Sequence, residues 1–357
     1  MPSIHPEQRI KNLLLIVAQQ NASDLHLVVG RHPTIRVDGR LIPLEQDGLL
    51  TPADTKAMGE VIMNEESQKK LMDSGQADFS YSFEEKARFR VNAFFQQGNL
   101  SIAFRLIPRE IRTLEQLNVP EVLYDFTKYS QGLFLVVGPV GHGKSTTLAA
   151  LINQINHNQE KHIITIEDPI EYIYEQDKCI INQREVFQDS KSFATALKAV
   201  FREDANVVLV GEMRDLETIS TAITAAETGH LIFATLHTND SPQTIDRIID
   251  VFPANQQNQV RMQLASSLLG VVSQRLIPKI DGGRVPALEI MMKNHAIENL
   301  IREGKTYQID NVIETSSDQG MISMDKALAE LVRRGLVGVD IAMAYAKDPK
   351  NFQNILQ

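Results

Sequence analysis

Apolar residues from Gln8 to Gln20 recur at helical spacing, and the run stops at Asn21-Ala22-Ser23-Asp24, a cluster that favours a turn. Leu25 to Val29 and Thr34 to Val37 predict short strands, separated by Gly30-Arg31-His32-Pro33 and followed by a turn at Asp38-Gly39. Thr51-Pro52-Ala53-Asp54 predicts a helix start, with Thr as N-cap, Pro at the first helical position and an acid in the first turn. A second short helix over Glu65 to Met72 is expected to end near Gly75, which can take the left-handed conformation.

Arg88 to Phe95 and Leu100 to Ile107 predict a hairpin turning at Gly98-Asn99. Period-2 alternation places Arg88, Arg90 and Asn92 on one face, with Phe89, Val91 and Phe95 on the other. This register pairs Asn92 with Arg105 and makes Arg90 and Arg105 diagonal neighbours on the polar face. The polar, proline-bounded stretch Pro108 to Pro120 reads as a boundary, giving domains over 1–110 and 121–357 joined by 111–120.

From Gly132 the rhythm becomes apolar strand, loop, helix, repeated. Leu133 to Val137, His162 to Ile166, Val207 to Val210 and Leu231 to Thr235 are near-continuous apolar runs, as in parallel strands buried on both faces. Helices are predicted between them over Ser145 to Asn156, Ser192 to Arg202 and Asp215 to Thr228. The chain beyond about Gln257 reads as mostly helical.

Composition narrows the class. An apolar fraction of 43% and a charged fraction of 23% allow a large core in a chain of 357 residues. No apolar run approaches the roughly 20 residues a membrane helix needs, and no secretory leader is evident, so a cytoplasmic location is expected. Cys179 is the single cysteine, which excludes an internal disulfide and a multi-cysteine zinc site. A net charge of -9 and the absence of Trp argue against nucleic acid as the main partner.

The candidate chemistry starts at Gly138-Pro139-Val140-Gly141-His142-Gly143-Lys144-Ser145-Thr146. Glycines at these spacings let backbone N–H groups turn inward onto phosphate oxygens. Lys144 supplies a charge for the terminal phosphates and Ser145 a hydroxyl for Mg²⁺. A buried strand precedes the loop and a helix follows, so the helix N-terminus faces the anion. The loop predicts nucleotide binding.

Hydrolysis needs carboxylates as well. Val207 to Gly211 is an apolar strand leading to Glu212, the form of a Walker B element, with Glu where Asp is common. Thr165 to Glu171 places Glu167, Asp168 and Glu171 around another strand end, where exposed surface acids are the alternative. His230 and His237 bracket a buried strand at an odd separation, which disfavours a two-histidine metal site. His237, at the strand end, is the better candidate for sensing bound phosphate, whereas His230 is as readily a structural histidine.

Together these motifs resemble the secretion and pilus motor ATPases, which are hexameric RecA-like machines. Within them the chain looks most like the PilT-type twitching-motility motors that retract type IV pili. Ala22 to Leu27 and Arg36 to Gly39 are similar to the family's PAS-like N-terminal domain, and Arg88 to Asn92 to its arginine-bearing strand. Gly138 to Thr147 is similar to its Walker A box, Ile164 to Glu171 to its aspartate box, Val208 to Asp215 to its Walker B box and Gly229 to Asn239 to its histidine box. The resemblance implies an α/β fold: a RecA-like P-loop ATPase core with a smaller PAS-like α/β domain before it.

It further implies Glu171 as general base, Glu212 at the metal side with Ser145, and Glu167 and Asp168 as supports. His230 and His237 would couple the site to a subunit interface, and Arg90 and Arg105 would act as arginine fingers. ATP and Mg²⁺ are the implied ligands. The implied setting is a homo-hexamer acting on a platform protein at the cytoplasmic face of the inner membrane. Assembly and type II secretion ATPases usually carry a four-cysteine zinc element and a longer N-terminal region, which this chain does not resemble. Ala296 to Lys305 resembles the C-terminal helix motif of retraction motors, departing at Glu298 where arginine is more usual, and His142 replaces a small polar residue. An accessory retraction motor, an assembly or secretion ATPase, a RecA-like nucleic-acid motor and a non-catalytic ATP-binding module stay open as alternatives.

Overall fold

The computed structural model describes residues 5–20, 22–37, 39–83, 87–107 and 110–356. It divides the chain into two compact units: residues 1–110 with Glu171–Ile173, and residues 111–170 with 174–357. Asn21, Asp38 and Pro108, which the sequence reading uses as turn and boundary markers, lie outside the described residues.

In the first unit, α1 (Pro6–Gln19) buries Ile10, Leu13, Leu14 and Val17, one stripe at helical spacing. Strands β1 (Asp24–Leu27), β2 (Thr34–Val37) and β3 (Arg40–Pro43) follow, then α2 (Pro52–Ile62) and α3 (Glu65–Ser74). Thr51 forms a capping box with Asp54, as its spacing predicts, and Gly75 ends α3 in the left-handed conformation. Asp54 also pairs with Arg9 at 2.8 Å, tying α2 to α1. Strands β4 (Gln76–Phe83), β5 (Ala87–Gln96) and β6 (Asn99–Ile107) complete a six-stranded antiparallel sheet in the order β3-β2-β1-β6-β5-β4.

The β5–β6 hairpin corrects the predicted register. Gln96 pairs with Asn99, so the turn is Gln97-Gly98, with φ of 50° and 75°, rather than Gly98-Asn99. Positive φ at both turn residues matches the twist of the flanking strands. Moving the turn back one residue shifts every pair by two, so Asn92 faces Ala103 and Arg90 lies directly opposite Arg105. Alternation holds for buried Phe89 and Val91, but Phe95, near the hairpin end, is 45% exposed.

The second unit contains β7 (Gly132–Val137), α4 (Lys144–Asn158), β8 (His162–Glu167), β9 (Ile180–Glu185) and α5 (Phe193–Val200). Then come β10 (Val207–Val210), α6 (Leu216–Glu227), β11 (Leu231–Leu236), α7 (Ser241–Asp250) and α8 (Ala254–Ser267). The sheet order is β13-β12-β7-β11-β10-β8-β9, where β12 is Leu268–Pro278 and β13 is Arg284–Met292. Strands β12, β7, β11, β10, β8 and β9 run parallel, and β13 is antiparallel to β12. The four apolar runs read from the sequence are four of the five interior strands, the fifth being β12.

The expectation of a mostly helical chain beyond Gln257 holds except for one hairpin, which it missed. The β12–β13 hairpin fills 268–292, and only then do α9 (His295–Glu303), α10 (Ile309–Thr315), α11 (Met324–Arg333), α12 (Val339–Tyr345) and α13 (Pro349–Leu356) follow. The hairpin extends the central sheet at one end, and the far end of its buried face (Ile277, Val285 and Ala287) forms a core with Leu328 and Phe352 of the terminal helices. Among the described residues no helix is long and apolar enough to cross a membrane. Replacing Thr51 by Ala removes the capping oxygen and should cost the first unit about 1 kcal/mol. The expected readout is a lower urea midpoint for its transition at unchanged slope.

Candidate active site

Parallel pairing brings one set of strand ends to a common edge. Val137 of β7 pairs with Leu236 of β11, Ala234 with Val210 of β10, and Val210 with Ile166 of β8. Ligands of such sheets bind where the strands end. The loop after β7 sits there and leads into α4, whose first residues are Lys144, Ser145 and Thr146. Gly138 has φ 140°, and a Cβ on it would stand 2.4 Å from the Gln274 carbonyl, so only glycine fits.

Lys144 is buried and its ammonium donates to the carbonyls of Gly138 at 2.8 Å and Pro139 at 3.0 Å. It lies 3.2 Å from Nδ1 of His237. An ammonium only donates, so Nδ1 accepts and the ring proton sits on Nε2. Nε2 is 3.2 Å from Glu212 Oε1, and Glu212 Oε2 accepts from Arg214 at 2.6 Å. The sequence-predicted residues Lys144, His237 and Glu212 therefore form one polar line, with Arg214 at its outer end. Burial works against ionising Glu212, but the Arg214 hydrogen bond and the nearby His237 and Arg214 outweigh it and hold the carboxyl below its ordinary range.

The base of the line is pinned. Thr235 donates to the Gly211 carbonyl at 2.5 Å and Met213 N–H to the Thr235 carbonyl, which fixes the backbone on both sides of Glu212. Glu167, at the end of β8, accepts from Thr165 at 2.7 Å, and Asp168 adds to the field around Arg214. Buried Glu185, which sequence reasoning missed, accepts from the Ile170 N–H at 3.3 Å and so holds the segment after Asp168. His142 is wedged rather than free. Its Nδ1 accepts from Leu276 N–H at 2.9 Å, and burial, with Arg275, Arg284 and Lys144 nearby, lowers its pKa.

A cavity of about 570 Å³ opens beside Gly143, Thr146 and Thr147, with Arg112, Asn118 and Arg284 in its walls, within the range of small-molecule sites. Val140 is exposed at the loop tip and Arg284 donates to the Gly141 carbonyl at 3.2 Å. Among the described residues no three His, Cys, Asp or Glu side chains gather to hold a metal by themselves.

Other candidates lie elsewhere. His230 is at the opposite end of β11, its carbonyl accepting from Gly132 at the start of β7 and its ring edge-on to Phe201. The chain itself does not bring it to the phosphate loop. Arg90 and Arg105 belong to the first unit, where Arg105 pairs with Asp24 at 3.0 Å. Glu171 groups with that unit as well. Gln274, missed in the sequence, sits in the polar trio Ser273-Gln274-Arg275 that interrupts an apolar run, and that interruption was the available signal.

A parallel sheet ending in this loop, with a buried lysine, an acid-tipped strand and a histidine between them, defines a P-loop nucleotide-binding protein. The family model described as Type II/IV secretion system protein matches residues 5–316, and the chain belongs to that family. It is 48% identical to the type IV pilus retractation ATPase PilT of Pseudomonas aeruginosa over 346 residues, covering 96% of this chain and 99% of the relative. It is 46% identical to a twitching motility protein of Neisseria gonorrhoeae, covering 89% and 85% of the two chains. The crystal structure of the pilus retraction motor PilT with bound ADP superimposes with a TM-score of 0.91 at 46% identity, covering 97% of this chain and 99% of that one. The mixed seven-stranded sheet and the separate N-terminal unit are thus a RecA-like core and its smaller α/β companion.

A carboxyl held below its ordinary range stabilises the fold above that range, and the contribution fades as pH falls through its folded value. Arg214 is well exposed, so solvent screening limits its share to roughly 0.5 kcal/mol. Arg214→Gln should therefore destabilise the second unit slightly at pH 7. The difference should vanish in acid, where Glu212 is protonated in both proteins; urea unfolding at the two pH values measures it.

Proposed function

We propose that this chain is an ATP-hydrolysing motor that retracts type IV pili. One observation carries the hydrolytic half: Lys144, His237 and Glu212 form a continuous polar line from the phosphate loop to the acid beyond β10. The likeness to pilus retraction motors along almost the whole chain carries the mechanical half.

Backbone N–H groups of the loop hold the phosphates, and Lys144 exchanges the Gly138 and Pro139 carbonyls for oxygens of the terminal phosphates. Glu212 stays ionised at neutral pH, and His237 Nε2–H restrains it from one side. Ser145 and Glu212 would hold Mg²⁺, the latter directly or through water. A hydroxyl and a carboxylate are the hard oxygen donors this ion accepts, with phosphates and water completing its shell. Bound Mg²⁺ would neutralise charge on the phosphate oxygens.

Glu171 takes the proton of the attacking water, while Glu167 and Asp168 brace the strand end beside it. Arg90 and Arg105, facing each other across the β5–β6 hairpin, stabilise charge on the transferred phosphoryl group as arginine fingers. His230 and His237 transmit the state of the site to a neighbouring subunit. Residues 1–110 form the PAS-like domain, 111–120 the linker and 121–357 the ATPase domain. The working form is a homo-hexamer at the cytoplasmic face of the inner membrane, acting on a membrane platform protein and not on nucleic acid.

Two measurements test this. Purified Glu171→Gln protein should lose phosphate release while binding ADP within about threefold of wild type; undiminished turnover would remove Glu171 from the mechanism. A strain lacking the gene should carry excess surface pili and fail to twitch. Bald cells would instead point to pilus assembly.

A further inference from the structure

β12 lies beside β7, and its pairing runs as far as Ser273 opposite Val137, the last residue of β7. Gln274 and Arg275 are therefore carried just past the point where β7 gives way to the phosphate loop. Gln274 is 2% exposed and both ends of its carboxamide are engaged. Its Oε1 accepts from Thr147 Oγ1 at 2.7 Å, and its Nε2 donates to the His142 carbonyl at 2.8 Å. Its own backbone carbonyl is the group that excludes a side chain at Gly138. In a planar trans peptide the C=O and N–H point oppositely. Drawing the His142 carbonyl towards Gln274 thus turns the Gly143 N–H away from Gln274.

Neighbouring residues of opposite parity on the same strand hold a different segment. Ser273 Oγ donates to the Asn239 carbonyl at 2.7 Å, and Arg275 Nη2 donates to Asn239 Oδ1 at 3.0 Å. Asn239 is two residues past His237, which touches Lys144 and Glu212. One strand thus grips the phosphate loop from one side and the segment carrying His237 from the other.

We infer that β12 is the positioning strand of the hydrolytic site, with Gln274 setting the phosphate loop and Arg275 setting Asn239 and, through it, His237. This rests on the ATPase reading above. Loop N–H groups hold nucleotide in the ground state as much as in the transition state, so Gln274 governs binding. His237 acts where charge changes during phosphoryl transfer, so Arg275 governs rate.

The test is steady-state ATP hydrolysis and ADP titration on the full-length protein, with melting temperatures for each variant. Gln274→Leu should raise the ATP KM and the ADP Kd about tenfold with kcat within about threefold. Arg275→Met should lower kcat about tenfold with ADP binding unchanged, and Arg275→Lys, which keeps a donor for Asn239, should recover most of it. Thr147→Val breaks the same bond from the loop side and should reproduce the Gln274→Leu shift in KM, which decides the matter if Gln274→Leu does not fold. ADP binding at wild-type strength in Gln274→Leu and Thr147→Val overturns the Gln274 assignment. Equal effects of Gln274→Leu and Arg275→Met on one constant reduce β12 to an ordinary structural strand. Wild-type protein that binds ADP but never hydrolyses ATP overturns the ATPase reading and the Arg275 half with it, and the ADP titration then decides Gln274 alone.

Discussion

Lys144 carries a full charge at a position only 7% exposed, and such a charge survives burial only among acceptors. Those supplied include the carbonyls of Gly138 and Pro139 and the Nδ1 of His237. Each makes a demand on the fold. The Gly138 carbonyl can turn to the lysine because its residue has no side chain to meet β12. His237 can reach it because β11 pairs with β7 to the last residue. Once His237 accepts through Nδ1, its other nitrogen is committed as a donor, and Glu212 is the group it finds. The arrangement of this edge of the sheet thus follows from accommodating one ammonium.

A second electrostatic problem sits on the N-terminal sheet. Arg90 and Arg105 face each other directly, and like charges so placed cost a few tenths to about 1 kcal/mol. Asp24, held among Arg105 and Arg36, offsets part of this. Among the described residues Arg90 has no such partner. A sheet that leaves one of two facing guanidiniums without a carboxylate partner presents a face suited to an anion, which accords with the finger role proposed for them.

The sequence disclosed the site better than the sheet that carries it. Lys144, Glu212 and His237 were legible because each lies in the segment that follows a strand of nearly unbroken apolar residues, and such runs mark interior parallel strands. β12 and β13 were less legible because they mix apolar and polar positions, as strands near the sheet margin do, and their composition passes for helix. The register of the β5–β6 hairpin turned on whether Gln97 or Asn99 flanked Gly98. Both are acceptable turn residues, and only the pairing of the whole ladder chose between them. Gln274 was hidden for another reason. The polar interruption at Ser273-Gln274-Arg275 marks its position, but its contacts with Thr147 and His142 lie more than a hundred positions earlier and are not reported by that pattern.

The place of β7 in the strand order also bears on how the chain assembles. β5 and β6, like β12 and β13, meet across short turns, so those ladders can close early. β7 has no such neighbour. Its partners β11 and β12 arrive roughly a hundred residues or more later in the chain, and closing loops of that length costs about 1 kcal/mol more than the shorter closure between β10 and β11. The strand that launches the phosphate loop is therefore held back until the C-terminal half is in place. Competence to hold nucleotide arises only with completion of the sheet, which makes ADP binding a reporter of finished folding as well as of chemistry.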